Sequence, residues 1–158
     1  LKNKLPSGYV PGPGAFAEEF ERLLEAVPAK RVVVPSLPPL GEAPAGVAVD
    51  VVASYNEIIR GLVAADSRCV YVPFAEALAS RMPPAAGEAF DASTNALGFT
   101  IAEMYFNTAL CSLPFGPSFD AIASRRGRRA LHDQIHLTEA SAEVLLELLL
   151  EAFGGPDP

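Results

Sequence analysis

Apolar and polar residues follow two different periods along this chain. Over the first clear segment, Phe16, Phe20, Leu23, Leu24 and Val27 recur at intervals of three and four, and Glu18, Glu21, Arg22 and Glu25 fill the opposite side. That spacing predicts an amphipathic helix from Ala15 to Val27, with Pro28 just past its end. Ahead of it, "LPSGYVPGPG" is too rich in Pro and Gly for a helix or a central strand. The pattern then changes. "RVVVPS" is a short Val run with no polar alternation, which reads as a strand buried on both faces of a parallel sheet. The Pro-rich "LPPLGEAPAG" follows, at the strand end where open α/β sheets bind ligands.

The same succession repeats. Val52, Tyr55, Ile58, Ile59, Leu62 and Val63 predict the core stripe of a second helix from Val49 to Ala65. "RCVYVPF" predicts a second buried strand, and "AEALASRM" a short helix. A last helix is expected from about Thr138, its N-cap, with Glu139 at the positive helix end. Leu145, Leu146, Leu148, Leu149, Leu150 and Phe153 predict a broad face packed into the core. Glu143, Glu147 and Glu151 line up at intervals of four; like charges so placed repel, so that side is expected to face water. The stretch 83–118 does not follow the pattern. "TIAEMYFNTALCSL" suggests a helix, with Ile101, Met104, Tyr105, Leu110 and Cys111 inward, and "PFGPSFD" breaks it. It reads as an insertion or lid near the working edge of the sheet.

Helices alternating with Val-rich strands predict an α/β protein. The expected architecture is a three-layer α/β/α sandwich around a parallel sheet, flavodoxin-like, in a single domain over residues 1–158. Only two strands are clear, and two central strands alone would leave both outer edges unpaired. Further N-terminal strands are therefore expected from a missing segment or a partner chain.

Composition narrows the function. The net charge of −7 repels a phosphate backbone and argues against nucleic acid as main partner. The most apolar run, "VLLELLLEAF", is interrupted by Glu, so no transmembrane segment is expected. "RRGRR" (125–129) reads as a solvated basic loop. Cys69 and Cys111 sit among apolar residues and read as buried thiols rather than a disulfide framework. Neither they nor the chain's opening assigns a compartment.

The chemistry is concentrated in "ALHDQIHLTEAS". Both histidines of the chain, His132 and His136, lie there with Asp133 between them. A metal clip of the H-E-x-x-H kind needs both imidazoles on one helix face. Here the acid is the shorter Asp, the helix begins after the pattern, and a third ligand must be Asp, Glu or Cys. No metal and no cofactor are expected. A catalytic pair asks for less. A serine hydroxyl needs a neighbouring base, imidazole titrates near neutrality, and a carboxylate must hold its other nitrogen. Asp133 and His136, three apart on a turn, meet those needs.

"DQIHLTEAS" resembles the last conserved block of the SGNH (GDSL-type) esterases and lipases, where an Asp-x-x-His pair opens the final helix. "RVVVPSLPPLGE" is similar to that family's strand and Pro-rich loop, and "YNEIIRGLVAADSRCVYVPFAEAL" to its next helix and strand. The likeness spans most of the chain outside 83–130. It implies an SGNH-type fold, hydrolysis of a small acyl ester, Asp133 as the orienting acid and His136 as the general base. It gives His132 no role, and Ser36, in "VPSLPP", falls where the family has a structural loop. The family's Gly-Asp-Ser nucleophile block and Gly-x-Asn-Asp loop have no counterpart here. They are expected from a missing N-terminal segment or another chain. The alternatives are a catalytically inactive SGNH-like structural or interaction subunit, and an unrelated α/β binding domain in which Asp-x-x-His is fortuitous.

Overall fold

A computed structural model describes residues 12–42, 47–82, 105–133 and 135–154. Helix α1 (Pro13–Ala26) starts with Pro at its first position, where the missing N–H costs nothing and φ is already helical. Phe16 and Phe20 stack at 5.5 Å, and Phe16 meets the edge of Tyr55 at 4.6 Å. These contacts lay α1 on helix α2 (Val47–Ala65), which crosses from strand β1 (Val32–Pro35) to β2 (Cys69–Val72). The two strands run parallel, with Val32 opposite Cys69 and Pro35 opposite Val72. The period-2 arrangement of side chains then sorts the core. Val32 and Val34 face one cluster, with Leu24, Ile59 and Val63 of α1 and α2. Val33 faces another, with Val72, Phe74, Leu78 and Val144.

That second cluster is closed by α3 (Phe74–Arg81) and a C-terminal helix spanning Glu139–Gly154. Helices thus lie against both faces of the sheet, and the chain is a mixed α/β protein with a parallel sheet. Among the described residues the sheet has two strands, so each keeps one edge without a described neighbour. The strands are less enclosed than predicted: Val34 and Val72 are buried, and Val32, Val33, Cys69, Val70 and Tyr71 only partly. Both cysteines are likewise half-buried and free. No described helix is long and apolar enough to cross a membrane.

Most of the predicted insertion, residues 83–104, lies outside the described residues, and with it Ile101 and Met104. Its end is helical over 105–111, but Tyr105 is exposed rather than inward. The chain then forms a helix where none was predicted, α4 (Phe119–Arg125). Ser118 caps it, accepting from the Ala121 N–H at 3.1 Å. Its C-terminus is a Schellman turn: Gly127 donates to the Ser124 carbonyl at 3.0 Å and Arg128 to that of Ala123 at 2.9 Å. Gly127 sits at φ +72°, a left-handed conformation that glycine adopts without steric cost. Of the "RRGRR" run only Arg125 is helical; 126–129 form the turn and loop after it, with Arg126 and Arg129 exposed as expected. Arg128 is buried in it, against the expectation of a solvated cluster.

The C-terminal helix, α5 (Glu139–Gly154), is latched at both ends. Asp120 accepts from the Glu139 N–H at 3.2 Å, and Arg31 donates to the Ala152 carbonyl at 2.6 Å. Val144 is buried and Leu145 and Leu148 pack beside it. Leu146, Leu150 and Phe153 are 56%, 63% and 61% exposed, contrary to the predicted inward face. A stripe six residues wide exceeds what one short sheet can cover. Leu23 of α1 is also exposed, contrary to its predicted place in the core stripe.

Candidate active site

The candidate site is a loop between α4 and α5, closed by a network of hydrogen bonds over the buried Ala130 and Leu131. Its anchor comes from the Pro-rich segment after β1. Gly41 turns the chain at φ +73°, and the buried Glu42 carboxylate points into the loop. It accepts from the backbone N–H groups of Arg129 at 2.9 Å, Ala130 at 2.7 Å and Leu131 at 2.7 Å. Three converging donors satisfy a buried charge that would otherwise be costly. The loop mouth is then sealed. Leu131 pairs with Leu137, His132 N–H donates to the His136 carbonyl, and Thr138 N–H to that of Ala130, both at 2.9 Å. The Thr138 hydroxyl donates to the Arg129 carbonyl at 2.8 Å and caps α5 by accepting from Ser141 N–H at 3.4 Å. Arg128 donates to the His132 carbonyl at 3.0 Å.

Inside this frame the structure brings Asp133 and His136 together. Asp133 is fully buried. Its Oδ1 accepts from the backbone N–H groups of His136 at 2.8 Å and Ile135 at 3.2 Å, the local bonding that Asp favours in turns. Its Oδ2 lies 2.6 Å from His136 Nδ1. Burial alone pushes the Asp133 carboxyl up, but the His136 amide and imidazole, the neighbouring His132 and the Ile135 amide together hold it below its ordinary value. The ionised carboxylate only accepts, so Nδ1 must carry the proton of a neutral His136 ring and Nε2 is left with a free lone pair. The His136 side chain is 51% exposed, so that lone pair can meet a substrate.

His132 is packed differently. Its ring stacks on His136 at 5.5 Å with 13° between planes, and meets the Phe119 ring, tilted by 34°, at 4.7 Å. Its Nδ1 stands 3.7 Å from Asp133 Oδ2. Burial, only partly offset by the Asp133 charge, lowers its pKa, so the ring is neutral near pH 7. One donor atom from each of His132, Asp133 and His136 falls within a 4.8 Å spread, close enough to share a metal ion. The third ligand sought in the sequence is thus Asp133 itself.

Ser36 is structural. It is buried, donates to Glu76 at 3.1 Å and accepts from the Ala75 N–H at 2.8 Å, capping α3. Ser118 and Ser141 are engaged with Ala121 and Ala130. None of these hydroxyls bonds the His136 ring. Two cavities open beside the loop. One of about 270 Å³ is apolar, lined by Val52, Ala53, Leu78, Met82, Glu42 and Ala130 among others. The other, about 290 Å³, is lined by Ser118, Phe119, Asp120, His132, Leu137 and Glu139. Sequence reasoning missed Glu42, Asp120 and Arg128. The Gly-Glu pair that closes "LPPLGE" was the one local hint for Glu42. No protein-family model, curated protein or solved structure matches the chain.

Proposed function

We propose that this chain is the histidine-bearing part of an SGNH-type serine ester hydrolase, within a three-layer α/β/α fold. The observation that carries the reading is the 2.6 Å contact between a half-exposed imidazole and a fully buried carboxylate three residues earlier. Asp133 fixes the tautomer and orientation of His136. His136 Nε2 takes the proton of a serine hydroxyl as that oxygen attacks an acyl carbonyl, and returns it to the departing alkoxide. Water then cleaves the acyl-enzyme by the same base. The serine and the oxyanion donors lie outside the described residues. The apolar cavity beside Ala130 suits the acyl portion of a small ester.

A second reading is favoured by two observations: none of the buried or capping serines meets His136, and α5 carries exposed Leu146, Leu150 and Phe153. In that reading the chain is an inactive SGNH-like subunit that binds a partner through apolar surface. Hydrolysis of a p-nitrophenyl acyl ester by the natural full-length protein separates the two. The hydrolase reading expects turnover that a His136→Ala variant loses. Full turnover in that variant removes His136 from the mechanism, and no turnover in the natural protein leaves the interaction subunit.

A further inference from the structure

We propose that His132, Asp133 and His136 form a site for a divalent transition-metal ion, zinc foremost, whose occupation switches off His136 as a base. The inhibitory part rests on the hydrolase reading; the metal site itself does not. Two imidazole nitrogens and one carboxylate oxygen are a donor set for zinc and its neighbours, and a poor one for magnesium or calcium, which take oxygen ligands. Their spacing is close to what is needed. Asp133 Oδ2 lies 2.6 Å from His136 Nδ1 and 3.7 Å from His132 Nδ1, and the three donors span at most 4.8 Å. Donors of a tetrahedral zinc ion, with bonds of about 2.0–2.1 Å, stand roughly 3.4 Å apart. Moving each ring by about an ångström, and turning one out of the present stack so that both ring planes meet at the ion, satisfies that geometry.

Two further features point the same way. His132 Nδ1 is buried and makes no hydrogen bond, a state that buried polar atoms rarely occupy, and the hydrolase chemistry leaves His132 without work. The cavity of about 290 Å³ beside His132 is lined by Asp120 and Glu139, so a cation is drawn toward the site, and water can fill the fourth position.

The consequence for His136 follows from proton counting. In the metal-free pair, Nδ1 carries the ring's one proton and Nε2 is the base. A zinc ion bound at Nδ1 takes that nitrogen's lone pair, and the neutral ring then carries its proton on Nε2. No proton is gained or lost by the ring, but the base is gone. Zinc also claims the Asp133 oxygen that oriented the ring. The ion and a serine's proton therefore compete for one imidazole.

The test is a calorimetric titration of the chelator-treated, full-length protein with zinc, and with magnesium as control. One zinc per chain and no magnesium binding are expected. His132→Phe, which keeps the ring stack on Phe119 but removes the nitrogens, should weaken zinc at least tenfold, as should His136→Gln at the exposed position. Both variants retain Cys69 and Cys111, so zinc held by thiols would bind them undiminished. Ring-nitrogen NMR should show the His136 proton move to Nε2 when zinc is added. Zinc should inhibit ester turnover of the natural protein reversibly, and His132→Phe should resist that inhibition. Absence of zinc binding, or equal affinity in His132→Phe, overturns the proposal. If the metal-free protein has no turnover, the hydrolase reading fails, while the calorimetry and NMR still decide the metal site.

Discussion

Two regions of this molecule reach rigidity by opposite means. The β1–α2–β2 unit with α1 is held by hydrocarbon: Leu24, Val34, Ile59 and Val63 interlock while Phe16, Phe20 and Tyr55 close the rim. Among its described residues the loop 129–138 buries Ala130 and Leu131 and rests Leu137 on the second cluster, but has no apolar cluster of its own. Beyond that packing it is held by directed bonds from Glu42, Arg128, Thr138 and Ser141 to its own backbone. Dispersion contacts tolerate small shifts, because each is weak and many are shared. A hydrogen bond to a charged group is steep in distance and angle. The apolar unit therefore supplies stability, and the polar loop supplies position, which is what a carboxylate–imidazole pair requires.

Breaking the comparison on the chemical side should give the largest effect. Asp133→Asn leaves the backbone bonds of the loop largely in place but presents the wrong partner to Nδ1. Ester turnover should fall by about 10³–10⁴-fold, with circular dichroism unchanged. On the apolar side, Ile59→Ala should lower unfolding free energy by about 2–5 kcal/mol in urea titrations, with little change in the zinc or substrate response of the loop. Glu42→Gln tests the hinge between the two. It sets an amide N–H₂ among three backbone donors and should cost about 1–3 kcal/mol. Hydrogen exchange at Arg129, Ala130 and Leu131 should rise well before exchange at Ile59. Equal rises at both would mean the loop has no independent stability. Gly127→Ala strains a left-handed helix end and should cost about 1 kcal/mol by thermal melting.

The smallest effect is a pH slope. Arg68, through its side chain and then its backbone N–H, holds Asp66 down at about 2, and the His136 contacts outweigh burial to hold Asp133 below its ordinary value. Carboxyls depressed in the folded state add stability that is fully present above the ordinary carboxylate range. That stability is lost as pH falls through the folded-state values. Urea midpoints should begin to fall as pH drops through the ordinary imidazole range, because His132 takes a proton more readily unfolded than folded, and should fall further from about pH 5 toward pH 2. Asp66→Asn should flatten part of that decline.

How much of this was legible in the sequence follows the same division. The apolar unit repeats every few residues, so α1, β1, α2, β2, α3 and α5 were all readable within a few residues of their ends. The width of the α5 stripe misled, since periodicity reports a face but not whether anything covers it. In α4, seven residues are too few for a period; its signals were the caps, Ser118 and Gly127, and the Gly was hidden inside a basic run. The Asp133–His136 encounter was legible because both partners lie within one turn. Glu42 was not, because its donors sit 87 to 89 positions away and no local rule selects one acid in a Pro-rich loop. Polar long-range bonds leave no period behind.

The two latches on α5 carry a mechanical consequence. Arg31, at the threshold of β1, grips the helix within its last turn, and Asp120 grips its first turn beside the Asp133–His136 pair. A pull or cut at the far tip of that helix is thus transmitted along a stiff rod of sixteen residues to the segment bearing Asp133 and His136. Trimming the chain ahead of Ala152 should therefore loosen the turn that bears Asp133 and His136.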